Sequence, residues 1–207
     1  MAKERAKSLK ESPQGIIFFV EGETDYHFYC HLINHLKQTN PSKKIVDKII
    51  VKNLKGVGNY NTKPMGFFKF DVLPKNKTTK FNILCCYDTD VFEQASKPAV
   101  NWGKVKKELL SLGAESVNEI QAVRMIEDWF LYDIGGLSKF LKVNPPIQIS
   151  SLKGKSAVDR MNYLFKKHHK IYTKGYYCGN FLDCLDFNII CNKIQSEIKL
   201  IEKYLFI

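Results

Sequence analysis

Residues 16–25 read Ile-Ile-Phe-Phe-Val-Glu-Gly-Glu-Thr-Asp, and this stretch decides the fold expected of the chain. Its first five residues place apolar side chains on both faces of an extended backbone, which is typical of a central strand in a parallel sheet covered by helices. Glu21 and Gly22 end the strand, and Thr24 is placed to cap a helix that the apolar spacing extends to about Lys37. We therefore expect a strand and helix unit of the α/β type here.

Three further strand and helix units follow along the chain. The apolar and β-branched runs predict strands at 46–54, 81–87 and 117–124, and helices are expected before Pro74, from about Trp102 to Leu112, and from Glu127 onward. Four such units in succession favour a mainly parallel, four-stranded, Rossmann-like sheet flanked by helices.

The residues after Pro145-Pro146 are expected to be helical and to end in an amphipathic helix from about Phe187 to Leu205. These breaks divide the chain into three predicted parts. They are a basic N-terminal tail at 1–13, a catalytic α/β domain at 14–142, and a helical C-terminal extension at 143–207 that packs on it.

Length and composition exclude several classes of protein. The chain has 207 residues, of which 44% are hydrophobic, enough to bury a substantial core in one domain. No apolar run approaches the roughly 20 residues that span a bilayer, and the basic N-terminal segment is not followed by the apolar core of a signal peptide. We therefore expect a cytoplasmic protein without a membrane segment. The six cysteines form no C-x-x-C pair, so we expect reduced thiols and no zinc site.

The formal net charge is +11, and most of the excess lies in two segments. Residues 43–80 contain ten lysines against two aspartates, and residues 153–175 contain seven basic residues against one aspartate. Aromatic residues are interleaved with them, as in surfaces that bind polyanions, so nucleic acid is the expected partner. The alternative is a set of solvated lysines that only keeps the protein soluble. The lysines expected to contact nucleic acid are Lys52, Lys55, Lys63, Lys69, Lys153, Lys155, Lys166, Lys167 and Lys170.

Acidic residues follow the predicted strands at their carboxyl ends, where the crevice of an open α/β sheet lies. They are Glu21 after the first strand with Asp25 one helical turn later, Asp88 and Asp90 after the third strand, and Glu127 after the fourth. Side chains two residues apart at a strand end project to the same side, so Asp88 and Asp90 can share one hard cation. We expect one or two Mg²⁺ or Mn²⁺ ions at this site. Asp128 is an alternative to Glu127 as a ligand, and either could instead be an acid of a first helical turn.

The stretches IIFFVEGETD (16–25) and FNILCCYDTD (81–90) resemble the signature of the Toprim domain, in which one strand ends in Glu-Gly and a later strand ends in Asp-x-Asp. The match covers roughly residues 14–135 and implies a Toprim-like fold. The segment VRMIEDWFLYD (123–133) looks like an element of the OLD-type nucleases of phage-defence systems. Small Toprim proteins of that group are often encoded beside an ABC-type ATPase, so the resemblance implies such a partner.

The resemblance also implies roles for particular residues. Asp88 and Asp90 resemble the metal ligands, Glu21 the acid that binds metal or moves a proton, and Asp25 a ligand of a second ion. Lys174 is similar to a basic residue that follows the Toprim core in OLD-type enzymes, where it could stabilise charge on the phosphate. The expected catalytic residues are therefore Glu21, Asp88 and Lys174.

The function expected from the residues and the resemblance is that of a metal-dependent endonuclease of DNA or of RNA such as tRNA. The resemblance implies a toxic effector of antiviral abortive infection, regulated by the ATPase. Two alternatives stay open: a ribosomal RNA maturase with the same chemistry, and a non-catalytic Toprim adaptor that binds nucleic acid or a partner. The chain is too short for a topoisomerase gate and lacks the zinc module of a primase. It could also form a homo-oligomer.

Overall fold

A computed structural model of the protein describes residues 12–90, 100–174 and 181–207. Nearly all of the basic tail expected at 1–13 lies outside the described residues, and so does Cys178. The cysteines that are described carry free thiols.

The centre of the fold is a four-stranded parallel sheet. Its strands are β1 (Gln14–Val20), β2 (Lys48–Asn53), β3 (Lys80–Asp88) and β4 (Ser116–Ala122), in the spatial order β2-β1-β3-β4. The predicted α/β class with a parallel sheet is therefore confirmed. The chain leaves β4 at Ala122 rather than at residue 124, where Arg124 takes a left-handed backbone conformation with a φ of 67°.

Helices flank the sheet and form most of the C-terminal part. They are α1 (Glu23–Thr39), α2 (Lys63–Phe67), α3 (Trp102–Ser111), α4 (Ile126–Phe130), α5 (Ile134–Leu141), α6 (Ala157–Lys167), α7 (Phe187–Lys193) and α8 (Gln195–Leu205). The expected single helix from Phe187 to Leu205 is wrong, because Ile194 leaves helical geometry between α7 and α8 and is buried in the core. Within the described residues, no helix is both long and apolar enough to cross a membrane.

Both faces of the sheet are buried, as the apolar sequence of β1 predicts. Ile16, Phe18 and Val20 pack into one core with α1, α4, α6 and α8, whereas Ile17 and Phe19 pack into a second core with α3. The alternation follows from the two-residue period of a strand. Each such side chain contributes about 1.5–3 kcal/mol when it is fully buried, so the strand ends are held by a rigid layer.

The C-terminal helices share the first of these cores with the sheet. Leu205 in α8 is fully buried, and its carbonyl accepts a hydrogen bond of 3.0 Å from the Val46 amide. Ile45 and Phe206 form an antiparallel bridge next to this contact. Main-chain bonds as well as apolar contacts therefore tie the helical part to the segment that leads into β2.

Tyr60 connects the carboxyl ends of the two central strands. Its buried hydroxyl lies 2.8 Å from the Phe19 carbonyl oxygen and 2.6 Å from the Cys86 carbonyl oxygen. The hydroxyl has one proton and donates it to one of these carbonyls at a time. Glu21 and Asp88 follow two residues after these carbonyls, so Tyr60 helps to set the spacing between the strand ends that carry them.

Removal of the Tyr60 hydroxyl should destabilise the fold. The variant Tyr60→Phe keeps the ring but leaves buried carbonyl oxygens short of a donor, which costs about 1–3 kcal/mol of unfolding free energy. Urea denaturation should show a lower midpoint at an unchanged m-value. Tyr163→Phe, on a half-buried position of α6, is the matched control. Equal midpoints for Tyr60→Phe and the wild type would contradict this role.

Candidate active site

The carboxyl ends of β1 and β3 bring Glu21 and Asp88 into direct contact. The two strands are neighbours in the sheet, and the Asp88 amide donates a hydrogen bond of 2.8 Å to Glu21 Oε1. Asp25 lies in the first turn of α1 and is buried. Burial raises its pKa most, and the negative charges of Asp88 and Glu21 raise it further, which indicates that all three side chains are close together. Three of the acids predicted from the sequence therefore converge at one edge of the sheet.

Asp88 is held from two further directions. The side chain is 3% exposed. Its Oδ1 accepts a hydrogen bond of 2.9 Å from the Ile126 amide, and its Oδ2 lies 2.9 Å from Lys174 Nζ. Because Ile126 is the first residue of α4, the first of these bonds fixes the start of α4, and with it Glu127, relative to β3.

Glu127 is fully buried, and among the described residues only one of its carboxylate oxygens has a hydrogen-bond partner. Oε1 accepts a bond of 2.6 Å from the Tyr172 hydroxyl, whereas Oε2 has no partner among the described residues. Asp90 Oδ1 is likewise buried without a partner in the described part of the chain. Buried oxygens without donors are costly, so these two atoms point to a ligand.

Tyr172 is a residue of the site that the sequence interpretation missed. It lies in the second basic segment, 45 residues from Glu127, and no spacing pattern relates the two positions. Tyr172 is buried whereas its neighbours in the sequence are exposed, and this difference could not be predicted from the sequence.

Glu127 and Asp128 occupy different environments. Glu127 is coupled electrostatically to Lys174 and Asp88, whereas Asp128 lines a neighbouring cavity with Arg124 and Arg160. Glu127 is therefore the fully buried member of this pair, whereas Asp128 is half-buried and lies in the wall of the neighbouring cavity with Asp90.

The acids perturb one another because they are close together and shielded from water. Burial, and then the charge of Asp88, raise the pKa of Glu21 to about 7. Burial also raises the pKa of Asp88 and of Glu127, and that of Asp25 well above its ordinary value. The positive charge of Lys174 opposes the shifts of Glu21, Asp88 and Glu127. Such arrays are typical of sites that bind a cation or move a proton.

Lys174 supplies positive charge to the site. Its Nζ lies 2.9 Å from Asp88 Oδ2 and 3.5 Å from Asp90 Oδ2. Burial alone would lower the pKa of Lys174, but the combined attraction of Asp88, Glu127 and Asp90 raises it above its ordinary value. The side chain therefore stays an ammonium throughout the neutral range.

The site opens into a cavity of about 590 Å³. This volume falls within the roughly 300–1,000 Å³ typical of ligand pockets. Gly56 lies in the cavity wall with a φ of 116°, a conformation that favours glycine, and its amide donates a bond of 2.7 Å to the Glu21 carbonyl. The loop after β2 is thereby tied to the end of β1. The lining residues that carry chemistry are Glu21, Glu23, Asp25, Asn53, Lys55, Asp88 and Lys174.

The residues fit a divalent metal by their chemistry, although they do not form a finished coordination sphere. Carboxylate oxygens are the ligands that Mg²⁺ and Mn²⁺ prefer, and Asp90 and Glu127 each contribute a buried oxygen without a donor. Within the described residues, no three His, Cys, Asp or Glu side chains are grouped closely enough to hold one ion. The Lys174 ammonium lies beside Asp88 and Asp90 instead. Metal binding would therefore require the ammonium and the carboxylates to rearrange.

The lysines expected to bind nucleic acid have different surroundings in the structure. Lys55 lines the large cavity, and Lys155 lines the neighbouring one. Lys63 donates a bond of 2.8 Å to the Leu54 carbonyl. In the part of the chain that the structure describes, no contact with the carboxylates is seen for Lys52, Lys63, Lys69, Lys153, Lys166, Lys167 and Lys170.

No protein-family model, no curated protein and no solved structure matches this chain. The Toprim resemblance therefore depends on the residues at the ends of β1 and β3 and on their order along the chain. It stays a prediction.

The raised pKa values predict that the metal-free protein is more stable in mild acid than in mild base. A carboxyl group with a higher pKa in the folded chain binds protons preferentially in that state, so the free energy of unfolding falls as the pH rises. For Glu21 the fall lies between pH 4.5 and about 7. The free energy of unfolding should fall by roughly 1–3 kcal/mol over this range. The measurement is the Tm of the protein in EDTA at a series of pH values between these limits.

Two variants separate this effect from the titration of the rest of the protein. Glu21→Gln should flatten the pH dependence between about pH 5 and 7, because the group that gains a proton is removed. Glu115→Gln changes an exposed carboxylate that pairs with Lys80, and it should leave the dependence unchanged. A wild-type Tm that rises steadily over this interval would show that the raised pKa values are wrong.

Proposed function

We propose that this protein is a Toprim-like, metal-dependent endonuclease that hydrolyses phosphodiester bonds in DNA or RNA. The observation that carries the proposal is the convergence of buried and half-buried carboxylates from three strand ends around the Lys174 ammonium. The chain has a net charge of +11, yet acidic side chains cluster at this site. This arrangement suits a nucleic acid whose backbone is held by basic residues and is hydrolysed at the acidic site. The carboxylates are Glu21, Asp25, Asp88, Asp90 and Glu127.

One or two Mg²⁺ or Mn²⁺ ions, held by these carboxylates, would polarise the phosphate and lower the pKa of a bound water. Glu21 would either bind an ion or, if it stays free of metal, accept a proton from an attacking water, which its pKa of about 7 in the metal-free protein allows at neutral pH. Its Oε1 is engaged by the Asp88 amide, so Oε2 is the atom that would carry the proton. The Ile126 amide keeps Asp88 in a fixed orientation.

Lys174 would act on the negative charge of the phosphate. Its ammonium carries three N–H groups and contacts Asp88 and Asp90 in this structure. A phosphate oxygen near the acids would accept a hydrogen bond from one of these N–H groups. This hydrogen bond would strengthen as negative charge develops on the phosphate in the transition state. Loss of Lys174 is therefore expected to lower the rate of cleavage more than the affinity for the substrate.

The biological setting that we propose follows from the Toprim resemblance. It is a cytoplasmic, toxic effector of antiviral abortive infection, restrained or triggered by an ABC-type ATPase. A ribosomal RNA maturase would use the same site and differ only in its substrate, so processing of a ribosomal RNA precursor by the purified protein would favour that alternative.

One observation favours the second candidate, a non-catalytic adaptor. Lys174 already neutralises part of the acidic charge, and the described residues contain no group of three ligands around one point. Ion pairs could then hold the site together without a metal. Such a protein would bind nucleic acid or the ATPase and leave the phosphodiester bonds intact.

Metal binding can be tested without an activity assay. Mn²⁺ should bind the metal-free protein at one or two ions per chain, counted by electron paramagnetic resonance of free Mn²⁺, and should raise the Tm. The rise should be larger at about pH 8 than at pH 6, because the ligands must lose their protons. Asp88→Asn should abolish both effects, and Asp71→Asn, at an exposed position, should preserve them. A wild type that binds no Mn²⁺ favours the adaptor.

Cleavage should depend on the same acids. The purified protein with Mg²⁺ or Mn²⁺ is offered plasmid DNA and total RNA. Glu21→Gln, Asp88→Asn and Lys174→Met should each lower the rate by about 10²-fold or more. Asp71→Asn should cleave at the wild-type rate. Wild-type cleavage by Asp88→Asn would sink the proposed mechanism.

A further inference from the structure

A second cavity adjoins the candidate active site and has a different character. Its volume is about 210 Å³, and Asp90 forms part of its wall. Asp90 also contacts Lys174 of the first site at 3.5 Å, so the two sites share one residue. Three of the residues around this cavity are cationic: Arg124, Lys155 and Arg160.

Arg124 stands at a backbone position that disfavours its residue type. Its φ of 67° lies in the left-handed region, where glycine and asparagine are the usual residues. The conformation is held by two hydrogen bonds of the Arg124 main chain: its amide donates to the side-chain oxygen Thr89 Oγ1 at 2.7 Å, and its carbonyl accepts from the Asp90 amide at 2.9 Å. The backbone of Arg124 thus fixes the loop that carries Asp90. An arginine at this position adds a positive charge that glycine or asparagine would not.

Lys155 and Arg160 are placed by a close approach of the chain to the start of α6. Gly154 has a φ of 141°, and a Cβ atom there would lie 2.8 Å from the Arg160 nitrogen. Its carbonyl oxygen lies 3.5 Å from Arg160 Nε. Ser156 and Asp159 complete the turn as a capping box. The geometry requires glycine at 154, and this close approach of the chain holds Lys155 and Arg160 at the same cavity.

Among the described residues that line the cavity, positive charges outnumber negative ones. Against its three cations stand the carboxylates of Asp90, which Lys174 already contacts, and of Asp128. Burial raises the pKa of Asp128, and the charges of Arg160 and Arg124 oppose this, which indicates that both guanidinium groups act on the same space. Guanidinium groups bind phosphate with paired hydrogen bonds, and the first turn of α6 adds its dipole. The volume is below the roughly 300–1,000 Å³ of pockets for drug-sized ligands but sufficient for a phosphate group with its water.

We propose that this cavity binds a phosphate group of the nucleic acid, next to the phosphodiester bond that the acidic site would cleave. The identity of the polymer rests on the proposed function, whereas the anion site rests on Arg124, Lys155 and Arg160. Arg124 and Arg160 are positioning residues in this proposal: they hold the strand in register with Asp88 and read no base. The same chemistry would accept an internal backbone phosphate or a terminal 5′-phosphate.

The test measures binding in EDTA, where no metal-dependent cleavage can occur. The probes are fluorescein-labelled, single-stranded 12-mers of mixed sequence, as DNA and as RNA, and the affinity is read by fluorescence anisotropy over a range of salt concentrations. Arg124→Asn and Arg160→Gln should each weaken binding about tenfold and lower the salt slope by about one. Lys199→Gln, at an exposed position of α8, is the matched control and should change the affinity less than about twofold.

The same variants and oligonucleotides also show whether the fold is intact and whether the bound phosphate is internal or terminal. Asparagine tolerates a left-handed backbone, so Arg124→Asn should unfold at or above the wild-type Tm, and its weaker binding then reflects the lost charge. Methylphosphonate substitution at one linkage at a time should weaken wild-type binding most at one position. The double variant that combines Arg124→Asn with Arg160→Gln should show no such position. If instead a 5′-phosphate raises the wild-type affinity over a 5′-hydroxyl, and the double variant loses that difference, the site takes the terminal group.

The outcomes separate this proposal from the proposed nuclease. Phosphate-dependent binding that requires both arginines, in a protein that cleaves no nucleic acid, would support the anion site and count against the nuclease. Cleavage by a double variant that binds with wild-type affinity and salt slope would overturn the anion site and leave the nuclease intact. A wild type that binds neither oligonucleotide, or a loss equal to that of Lys199→Gln, also overturns it.

Discussion

Repulsion between buried carboxylates is the constraint on which this structure depends. The parallel sheet ends β1, β3 and β4 at one edge, and each end delivers an acid to a region from which water is largely excluded. Negative charges in such a region are tolerated only if donors or cations face them. The main-chain amides of Asp88 and Ile126 supply two donors, the Tyr172 hydroxyl a third, and Lys174 the ammonium.

The fold meets this constraint by making the edge rigid. Side chains of β1 enter separate cores on the two faces of the sheet, so neither face can shift without opening a packed layer. Tyr60 bridges the main chains of the two central strands just before their acidic residues. The remaining parts of the site, Tyr172 and Lys174, come from the segment after α6. The C-terminal part therefore completes the charge balance that the sheet leaves open.

The sequence was sufficient for the features that depend on local pattern. The uninterrupted apolar runs of β1 and β3 predict buried parallel strands, and parallel strands necessarily bring their carboxyl ends to one edge. Glu21 and Asp88, 67 residues apart, could thus be placed together. The break at Ile194 could not be foreseen, because helical spacing continues through it and the packing of that side chain in the core decides the geometry.

Contacts between helices and loops that are distant in the sequence also could not be predicted from it. Tyr172 reaches Glu127, and His31 reaches Asp183 across 152 residues at 2.8 Å, by the way the C-terminal part packs on the sheet. The left-handed conformation of Arg124 is equally hidden, because the residue type argues against it. In each case a tertiary contact outweighs the local preference, and a single sequence records only the preference.

The adjacency of an acidic and a basic cavity fits the binding of a repeating polyanion, as we propose. A phosphodiester strand presents the same charged group at every step, so a site that attacks one phosphate gains selectivity of position only by holding another. An acidic centre on its own would repel the strand, and a basic groove on its own would bind it in any register. Asp90 lies at the boundary, with its amide bonded to the Arg124 carbonyl and its carboxylate beside Lys174. Any displacement of the loop that carries Asp90 therefore acts on both cavities at once. In the proposed complex, this would couple the position of the strand to the arrangement of the acids.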